Sequence, residues 1–347
     1  MIGIRLPAIS SITKKYIQVG SRNRDVRRSL MRYGFTIPSR GPLANRSDIG
    51  KIARKGEELG FDILSVSDHI IVPKSIESIY PYSESGAFTG GESGECMEQL
   101  AELSFLSAIT TKVRLLTSVM VLPHRNPVLT AKILATIDVL SEGRLIVGCG
   151  VGWMEEEFSA IGTAPYNERG AVSDEYIRVF KELWTKDNPR FQGKYANFSD
   201  VTFAPKPIQK PHPPIWIGGE SPPALRRAAE LGDAWYPIGS NPRFPVGTPT
   251  EFSSYLSRVR ANANKIGRDP DTIDLAYSAS WYNEEKELLP DGERRCFTGN
   301  PSEISDDIKV FEELGVRTLM FRFGEAELDS NLSRMEHFAL NIKPLAG

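Results

Sequence analysis

The feature that most constrains the fold of this chain is a strand–helix–strand pattern over residues 113–153. An apolar, β-branched run over 113–122 predicts a buried strand. Apolar residues at three- and four-residue steps over 127–140 then predict a helix, and 144–148 predicts a second strand that leads into a glycine-rich segment, 148–153. Two strands joined through a helix lie parallel in one sheet. The pattern therefore indicates an α/β protein.

The same alternation of strand and helix runs through most of the chain. It predicts strands at 33–37, 62–67, 113–122, 144–148, 214–217, 233–238, 273–278 and 317–323, each followed by a helix. Eight such pairs are what a (β/α)8 TIM barrel requires. A doubly wound sheet is the alternative, but it normally has its glycine fingerprint after the first strand. Residues 188–213, rich in aromatic residues and prolines, predict an inserted hairpin or arm.

Residues 1–30 differ from the rest because they are basic and contain many serines. A transit peptide, a nucleic-acid-binding arm and an upstream start site each fit this composition. We favour the last, with the functional chain beginning at Met31, because residues 32–38 predict the first strand of a domain. We expect a poorly ordered extension over 1–30 and a single domain over 31–347.

Charge and cysteine content narrow the class of protein. A net charge of -2 argues against nucleic acid or an anionic membrane as the main partner. No apolar run reaches the roughly 20 residues that span a bilayer. Three well-separated cysteines fit reduced thiols, so we expect a cytoplasmic protein. The four histidines lack metal-ligand spacing, so we expect no metal.

Polar and glycine residues follow several of the predicted strands. In a TIM barrel, the active site lies at the carboxyl ends of the strands. The segment 218–221 combines two glycines with a helix start, where the helix dipole favours a phosphate. These features predict a phosphate-bearing cofactor. The acidic run Glu155–Glu157 is interpreted as a solvated helix start.

These segments together resemble luciferase-like flavin and deazaflavin oxidoreductases, most closely the branch that uses coenzyme F420. The resemblance extends over residues 31–345 and rests on Ser67-Asp68-His69, 117–119, the G-x-G-x-G-W motif at 148–153, 215–219 and 231–235. It implies a luciferase-like TIM barrel that transfers a hydride between F420 and a small organic substrate, in a homodimer or larger homo-oligomer. An FMN-dependent monooxygenase using reduced flavin and oxygen is the alternative, and a non-catalytic flavin-binding barrel is a third hypothesis.

The resemblance also implies roles for individual residues. His69 would be the catalytic proton donor or acceptor, and Ser118–Val119 would form a cis peptide bulge behind the cofactor ring. The remaining cofactor-binding positions would be Asp68, Cys149, Gly150, Val151, Gly218, Gly219 and Ser221. Val151 departs from the family, since its sugar-phosphate dehydrogenases carry a carboxylic acid there. As substrate or lid residues we expect Tyr80, Tyr82, Arg125 and Trp153.

Overall fold

Strands that alternate with helices along the chain close into one parallel barrel. The computed structural model describes residues 31–89, 94–279, 281–289 and 292–346, so the predicted extension 1–30 lies outside the described residues. The strands are β1 (Arg32–Thr36), β2 (Ile63–Val66), β3 (Arg114–Thr117), β4 (Met120–Val121), β5 (Leu145–Gly150), β6 (Phe191–Gln192), β7 (Asn197–Phe198), β8 (Ile215–Gly218), β9 (Ala234–Tyr236), β10 (Asp274–Ala279) and β11 (Thr318–Phe321).

The strand pairing confirms the predicted TIM barrel. Neighbouring barrel strands pair in parallel in chain order, with β4 continuing β3, and the pairings of β1 with β11 and of β3 with β5 complete the closed, eight-stranded sheet. The doubly wound alternative is therefore wrong. Strands β6 and β7 pair antiparallel with each other, which places a short hairpin within the segment predicted as an insertion.

Helices surround the barrel and connect its strands. They are α1 (Arg46–Glu58), α2 (Gln99–Ile109), α3 (Pro127–Leu140), α4 (Glu155–Ile161), α5 (Arg169–Thr185), α6 (Pro222–Leu231), α7 (Pro249–Lys265), α8 (Pro301–Glu313), α9 (Leu328–His337) and α10 (Lys343–Ala346). Among the described residues, no helix has the length and apolar character needed to cross a membrane.

Alternating strand residues build two apolar layers. In β8, Ile215 and Ile217 join the layer between the barrel and the helices, whereas Trp216 points into the barrel. The barrel interior is filled by Ile63, Leu116, Ile146, Trp216, Ala234, Tyr236, Ala276 and Met320. A filled interior leaves the mouth of the barrel as the place where a ligand can bind.

The third barrel strand is interrupted at its carboxyl end. A cis peptide bond joins Ser118 to Val119 between β3 and β4, as the family resemblance predicts. Glycines border this bulge on the neighbouring strand: a Cβ at Gly148 would lie 2.1 Å from the Thr117 carbonyl oxygen, and one at Gly150 would lie 2.7 Å from Val119 Cγ2. Gly148 and Gly150 of the motif 148–153 therefore make room for the bulge.

Candidate active site

A cavity of about 650 Å³ opens at the carboxyl ends of the barrel strands. It brings together most of the residues predicted from the sequence, namely Asp68, His69, Tyr80, Tyr82, Ser118, Val119, Gly150, Val151, Trp153, Gly218, Gly219 and Ser221. Cys149 and Arg125 do not line it. The predicted site is thus one continuous surface, with two exceptions.

Val119 lies at the floor of this cavity. Its side chain packs on top of the barrel interior, and a Cβ at Gly218 would lie only 3.0 Å from Val119 Cγ1. Beside it, the Ser118 and Tyr236 hydroxyl groups are 3.0 Å apart. Burial raises the pKa of Tyr236, so its hydroxyl group keeps its proton at neutral pH. A smooth apolar floor with hydroxyl groups at one edge suits the face of a planar ring.

The start of α6 forms one wall of the cavity. Gly219 lies just before this helix and has a φ of 102°, a left-handed backbone conformation that favours glycine. Ser221 is the N-cap residue, yet its side chain makes no cap hydrogen bond. Pro222 and Pro223 supply no N–H groups to the first turn. Ser221 and the positive end of the helix therefore border the cavity, and no described residue is recorded as a partner of the Ser221 hydroxyl.

Three arginines lie on the same side of the cavity, and the sequence alone did not indicate them. Arg169 stacks 3.9 Å over the Tyr166 ring and donates to the Gly152 carbonyl oxygen. Arg227, whose side chain is 4% exposed, forms an ion pair with Asp174. Arg243 also lines the cavity. Guanidinium groups next to a helix start form a suitable site for a phosphate.

Glu220 lies in the loop before α6 and binds this loop to a neighbouring segment. The carboxylate is almost fully buried and accepts hydrogen bonds from the Ile238 N–H at 2.7 Å and from the Asn241 amide at 2.9 Å. Burial raises the pKa of Glu220 to about 7. The wall before α6 is thereby tied to the chain that follows β9.

His69 is held by a buried carboxylate on α4. Its Nδ1 lies 2.9 Å from Glu157 Oε2, while Glu157 Oε1 accepts the Ile70 N–H at 2.7 Å. Burial alone would raise the pKa of Glu157, but the hydrogen bond and charge of His69 outweigh it, and the net pKa is lowered. The interpretation of the acidic run as a solvated helix start is wrong for Glu157, which is 2% exposed. The carboxylate instead fixes the orientation of the His69 ring.

His124 lies on the other side of the same carboxylate. Its Nδ1 is 4.0 Å from Glu157 Oε1, and its ring packs edge-on against Phe158. Within the described residues neither ring nitrogen has a hydrogen-bond partner, although the residue is buried and lines the cavity. Burial lowers the pKa of His124, which favours a neutral ring. A neutral imidazole with free nitrogen atoms can donate or accept one hydrogen bond toward a ligand.

Asp68 and Arg125 form a structural pair behind the site. Two guanidinium nitrogens of Arg125 lie 2.7 Å from the two carboxylate oxygens of Asp68, and Arg125 also bonds Glu98. Asp68 further accepts the Val121 N–H at 2.8 Å. Arg125 therefore holds Asp68 in place, whereas the sequence predicted a substrate contact. The Asp68 carboxylate keeps lone pairs that can accept a ligand donor.

Aromatic side chains cover the opposite side of His69. The Tyr80 ring lies 5.1 Å from Trp153 and 5.2 Å from Phe88, and the His69 ring lies 5.1 Å from Phe88. Two carboxylates of α4 anchor the loop that carries Tyr80 and Phe88: Glu157 binds its beginning, and Glu156 accepts the N–H groups of residues 77 and 78. The predicted lid residues thus form an apolar wall.

Cys149 packs outside the cavity, in the layer between barrel and helices. Burial raises the pKa of this thiol to about 12, which excludes a thiolate nucleophile at neutral pH. Its predicted cofactor contact could come only through the backbone of β5. No cluster of potential metal ligands occurs among the described residues.

Proteins of related sequence include named monooxygenases. An FMNH(2)-dependent dimethylsulfone monooxygenase of Pseudomonas putida is 39% identical over 183 residues, which are 52% of this chain and only 50% of that protein. The chain thus matches about half the length of that relative. A protein of the same name from Pseudomonas fluorescens (strain Pf0-1) is 36% identical over 303 residues, covering 74% of this chain and 80% of that protein.

Solved structures agree on the fold. Monooxygenase RslO1 from Streptomyces bottropensis aligns over 91% of this chain and 100% of its own, with a TM-score of 0.70 and 22% identity. The coenzyme F420 dependent tetrahydromethanopterin reductase from Methanopyrus kandleri aligns over 92% and 100%, with a TM-score of 0.69 and 17% identity. The family profile described as luciferase-like monooxygenase matches residues 31–287. This chain belongs to the luciferase-like monooxygenase family, whose members are oxidoreductases.

Proposed function

We propose that the protein is an FMN-dependent monooxygenase that uses reduced FMN and oxygen to oxygenate a small organic substrate. One observation supports a cofactor with a flat ring and a phosphate. The cavity joins a flat floor at Val119 to a wall formed by Ser221 and Arg169, which we name the phosphate-binding wall. Relatives 36% and 39% identical that are named as FMNH(2)-dependent support FMN over the deazaflavin. The F420 cofactor, preferred from the sequence alone, stays a second candidate.

The residues that line the cavity suit both the ring and the phosphate of FMN. The flat isoalloxazine would lie over Val119, whose position depends on the lack of side chains at Gly150 and Gly218 on the neighbouring strands. The phosphate would be bound by the Ser221 hydroxyl and by Arg169. Bound FMN in its reduced form supplies two electrons, so that one atom of O2 enters the substrate and the other leaves as water.

His69 would carry the proton that this chemistry requires. Its Nδ1 is engaged by Glu157, which leaves Nε2 as the nitrogen that can act toward the cavity. The aromatic wall of Tyr80 and Trp153 would exclude water from the reacting atoms. The substrate would then bind between this wall and the ring.

F420 is the second candidate because an F420-dependent enzyme is among the solved structures of the same fold. Val151 weighs against the two-residue acid–base mechanism of the sugar-phosphate dehydrogenases in that branch, since it supplies no carboxyl group. A hydride transfer that depends on His69 alone stays compatible with the site.

Separate titrations with FMN and F420, followed by cofactor fluorescence, test the proposal. We expect micromolar or tighter FMN binding, and about tenfold weaker FMN binding for Arg169→Gln, because hydrogen bonds to charged groups are strong. Arg178→Gln, an exposed position on the same helix α5, is the matched control and should not change FMN affinity.

F420 binding without FMN binding would overturn the FMN proposal and leave the deazaflavin. FMN binding accompanied by substrate-dependent oxygen uptake with reduced FMN, lost in His69→Asn, would support a catalytic monooxygenase. Substrate-dependent oxygen uptake that His69→Asn leaves unchanged would refute the role of His69. FMN binding without any substrate-dependent oxygen uptake would favour a non-catalytic flavin-binding barrel.

A further inference from the structure

Two arginines at the rim of the barrel lie on the side opposite the phosphate-binding wall. Arg40 follows β1 and Arg322 follows β11, two strands that pair directly in the sheet. The phosphate-binding wall follows β8, the fifth of the eight barrel strands. In a closed eight-stranded barrel, the first and fifth strands lie on opposite sides of the axis. The two basic regions therefore face each other across the mouth.

Neither of these guanidinium groups has an acidic partner among the residues that the structure describes. Within the ranges that the structure describes, no carboxylate forms an ion pair with Arg40 or Arg322, and Arg40 stacks 4.6 Å over the Phe88 ring. By comparison, Arg125 is paired with Asp68 and Arg227 is paired with Asp174. Arg169 and Arg243, on the side of the cavity assigned to the phosphate, likewise have no ion pair with a described carboxylate.

The two groups also repel each other. Removal of water by neighbouring atoms lowers the pKa of Arg322, and the nearby positive charge of Arg40 lowers it further. Arg40 lies at the aromatic wall, because it stacks on Phe88 and the Phe88 ring lies 5.2 Å from the Tyr80 ring. Arg322 is an exposed residue directly after β11, the strand that pairs with β1. Burial raises the pKa of Tyr80, and the charges of both arginines oppose that rise. Two like charges held together without a counter-ion are unfavourable, and a bound anion would relieve that repulsion.

We propose that the substrate carries an oxyanion, a carboxylate or a sulfonate, which Arg40 and Arg322 bind while its apolar part lies against Tyr80 and Phe88. The inference rests on the proposed function, because it assigns the phosphate-binding wall to the cofactor. Guanidinium groups present paired N–H donors that match the two oxygens of such a group. The anion would orient the substrate with its other end toward His69.

Two probe ligands of nearly equal size, methanesulfonate and dimethyl sulfone, separate the effect of charge on affinity from the effect of shape. Methanesulfonate is dimethyl sulfone with one methyl group replaced by a negatively charged oxygen. Isothermal titration calorimetry on the FMN-loaded protein should show methanesulfonate binding about tenfold more tightly than dimethyl sulfone, the effect of one charged hydrogen bond. Arg40→Gln and Arg322→Gln should each weaken methanesulfonate about tenfold and leave dimethyl sulfone unchanged.

Arg178→Gln is the matched control on the FMN-loaded protein, because it removes an exposed guanidinium on α5 that does not line the cavity. It should leave methanesulfonate binding unchanged. Equal or tighter binding of dimethyl sulfone, or unchanged methanesulfonate affinity in both the Arg40 and Arg322 variants, would overturn the proposal. Loss of methanesulfonate binding when FMN saturates the protein would also overturn the proposal, because it would mean that the anion occupies the phosphate-binding wall.

The same titration on cofactor-free protein distinguishes failure of this proposal from failure of the FMN proposal. Methanesulfonate affinity that depends on Arg40 and Arg322 but not on Arg243 supports an oxyanion site at the rim, even if FMN does not bind. Dependence on Arg243 alone overturns it.

Discussion

Glu102 offers the sharpest test of the energetics of this barrel. It lies on α2, is only 4% exposed, and within the described chain neither carboxylate oxygen has a hydrogen-bond partner. The buried Ser39 hydroxyl beside it interacts too loosely to satisfy the carboxylate, and this interaction only partly offsets the effect of burial on the Glu102 pKa. The nearby charge of Glu98 disfavours ionisation further. Burial, the largest effect, raises the pKa of Glu102 from 4.5 to about 8.

A raised pKa means that the folded protein holds a proton that the unfolded chain has already lost. Between pH 4.5 and pH 8 the free energy of unfolding should therefore fall by about 1.4 kcal/mol for each pH unit because of Glu102. Over the whole interval this reaches about 5 kcal/mol, a large share of the roughly 5–15 kcal/mol stability of a typical domain. Glu220 acts in the same direction, but only up to pH 7.

Glu102→Gln removes this titration and leaves a side chain of similar size. Urea unfolding at pH 5 to 9 should show that the variant gains stability relative to the parent as the pH rises, most clearly between pH 7 and pH 8. Between pH 7 and pH 8, His124 and the carboxylates of lowered pKa no longer change their protonation, so that they add no pH dependence to the measured stability. Glu58→Gln, an exposed position on α1, should run parallel to the parent. A difference between parent and Glu102→Gln that does not change with pH would refute the reasoning.

Two further substitutions test the site itself. Glu157→Gln removes the negative charge beside His69. Because this removes one hydrogen bond to a charged group, kcat should fall about tenfold to a hundredfold with little change in KM. An unchanged kcat would contradict the role of Glu157. Gly150→Ala sets a methyl group against Val119 and should weaken FMN about tenfold in a fluorescence titration. Gly50→Ala, on the outer helix α1, should bind FMN like the parent.

The barrel was predictable because its signals are local. Apolar runs bounded by turn residues and helical periodicity each depend on a few neighbouring residues, and eight repeats of the pair leave few folds. The break at Ser118–Val119 has no such signal in its own residues. It came only from the resemblance to a family, since the residues that accommodate it, Gly148 and Gly150, belong to another strand.

The sequence did not show which charges pair over long distances in the chain. We expected Arg125 to contact substrate, and the structure adds that it is paired with Asp68, 57 residues away in sequence. Glu157 was interpreted as solvated because its neighbours are acidic, while its contact with His69 spans 88 residues. Arg169 was missed because periodicity does not reveal that the start of α5 faces the cavity. Sequence patterns identify the groups near strand ends but not which of them neutralise each other.

The carboxylates at the start of α4 link access to the site with the geometry of its chemistry. Glu156 and Glu157 together hold the loop that carries Tyr80, through N–H groups at its beginning and its middle. Glu157 also orients the His69 ring through its second oxygen. A movement that lifts the beginning of this loop must therefore break a hydrogen bond of the carboxylate on which His69 depends. Under the proposed role of His69 as proton carrier, its ring should be aligned only when the aromatic wall is closed. Proton transfer would then be restricted to the state from which water is excluded.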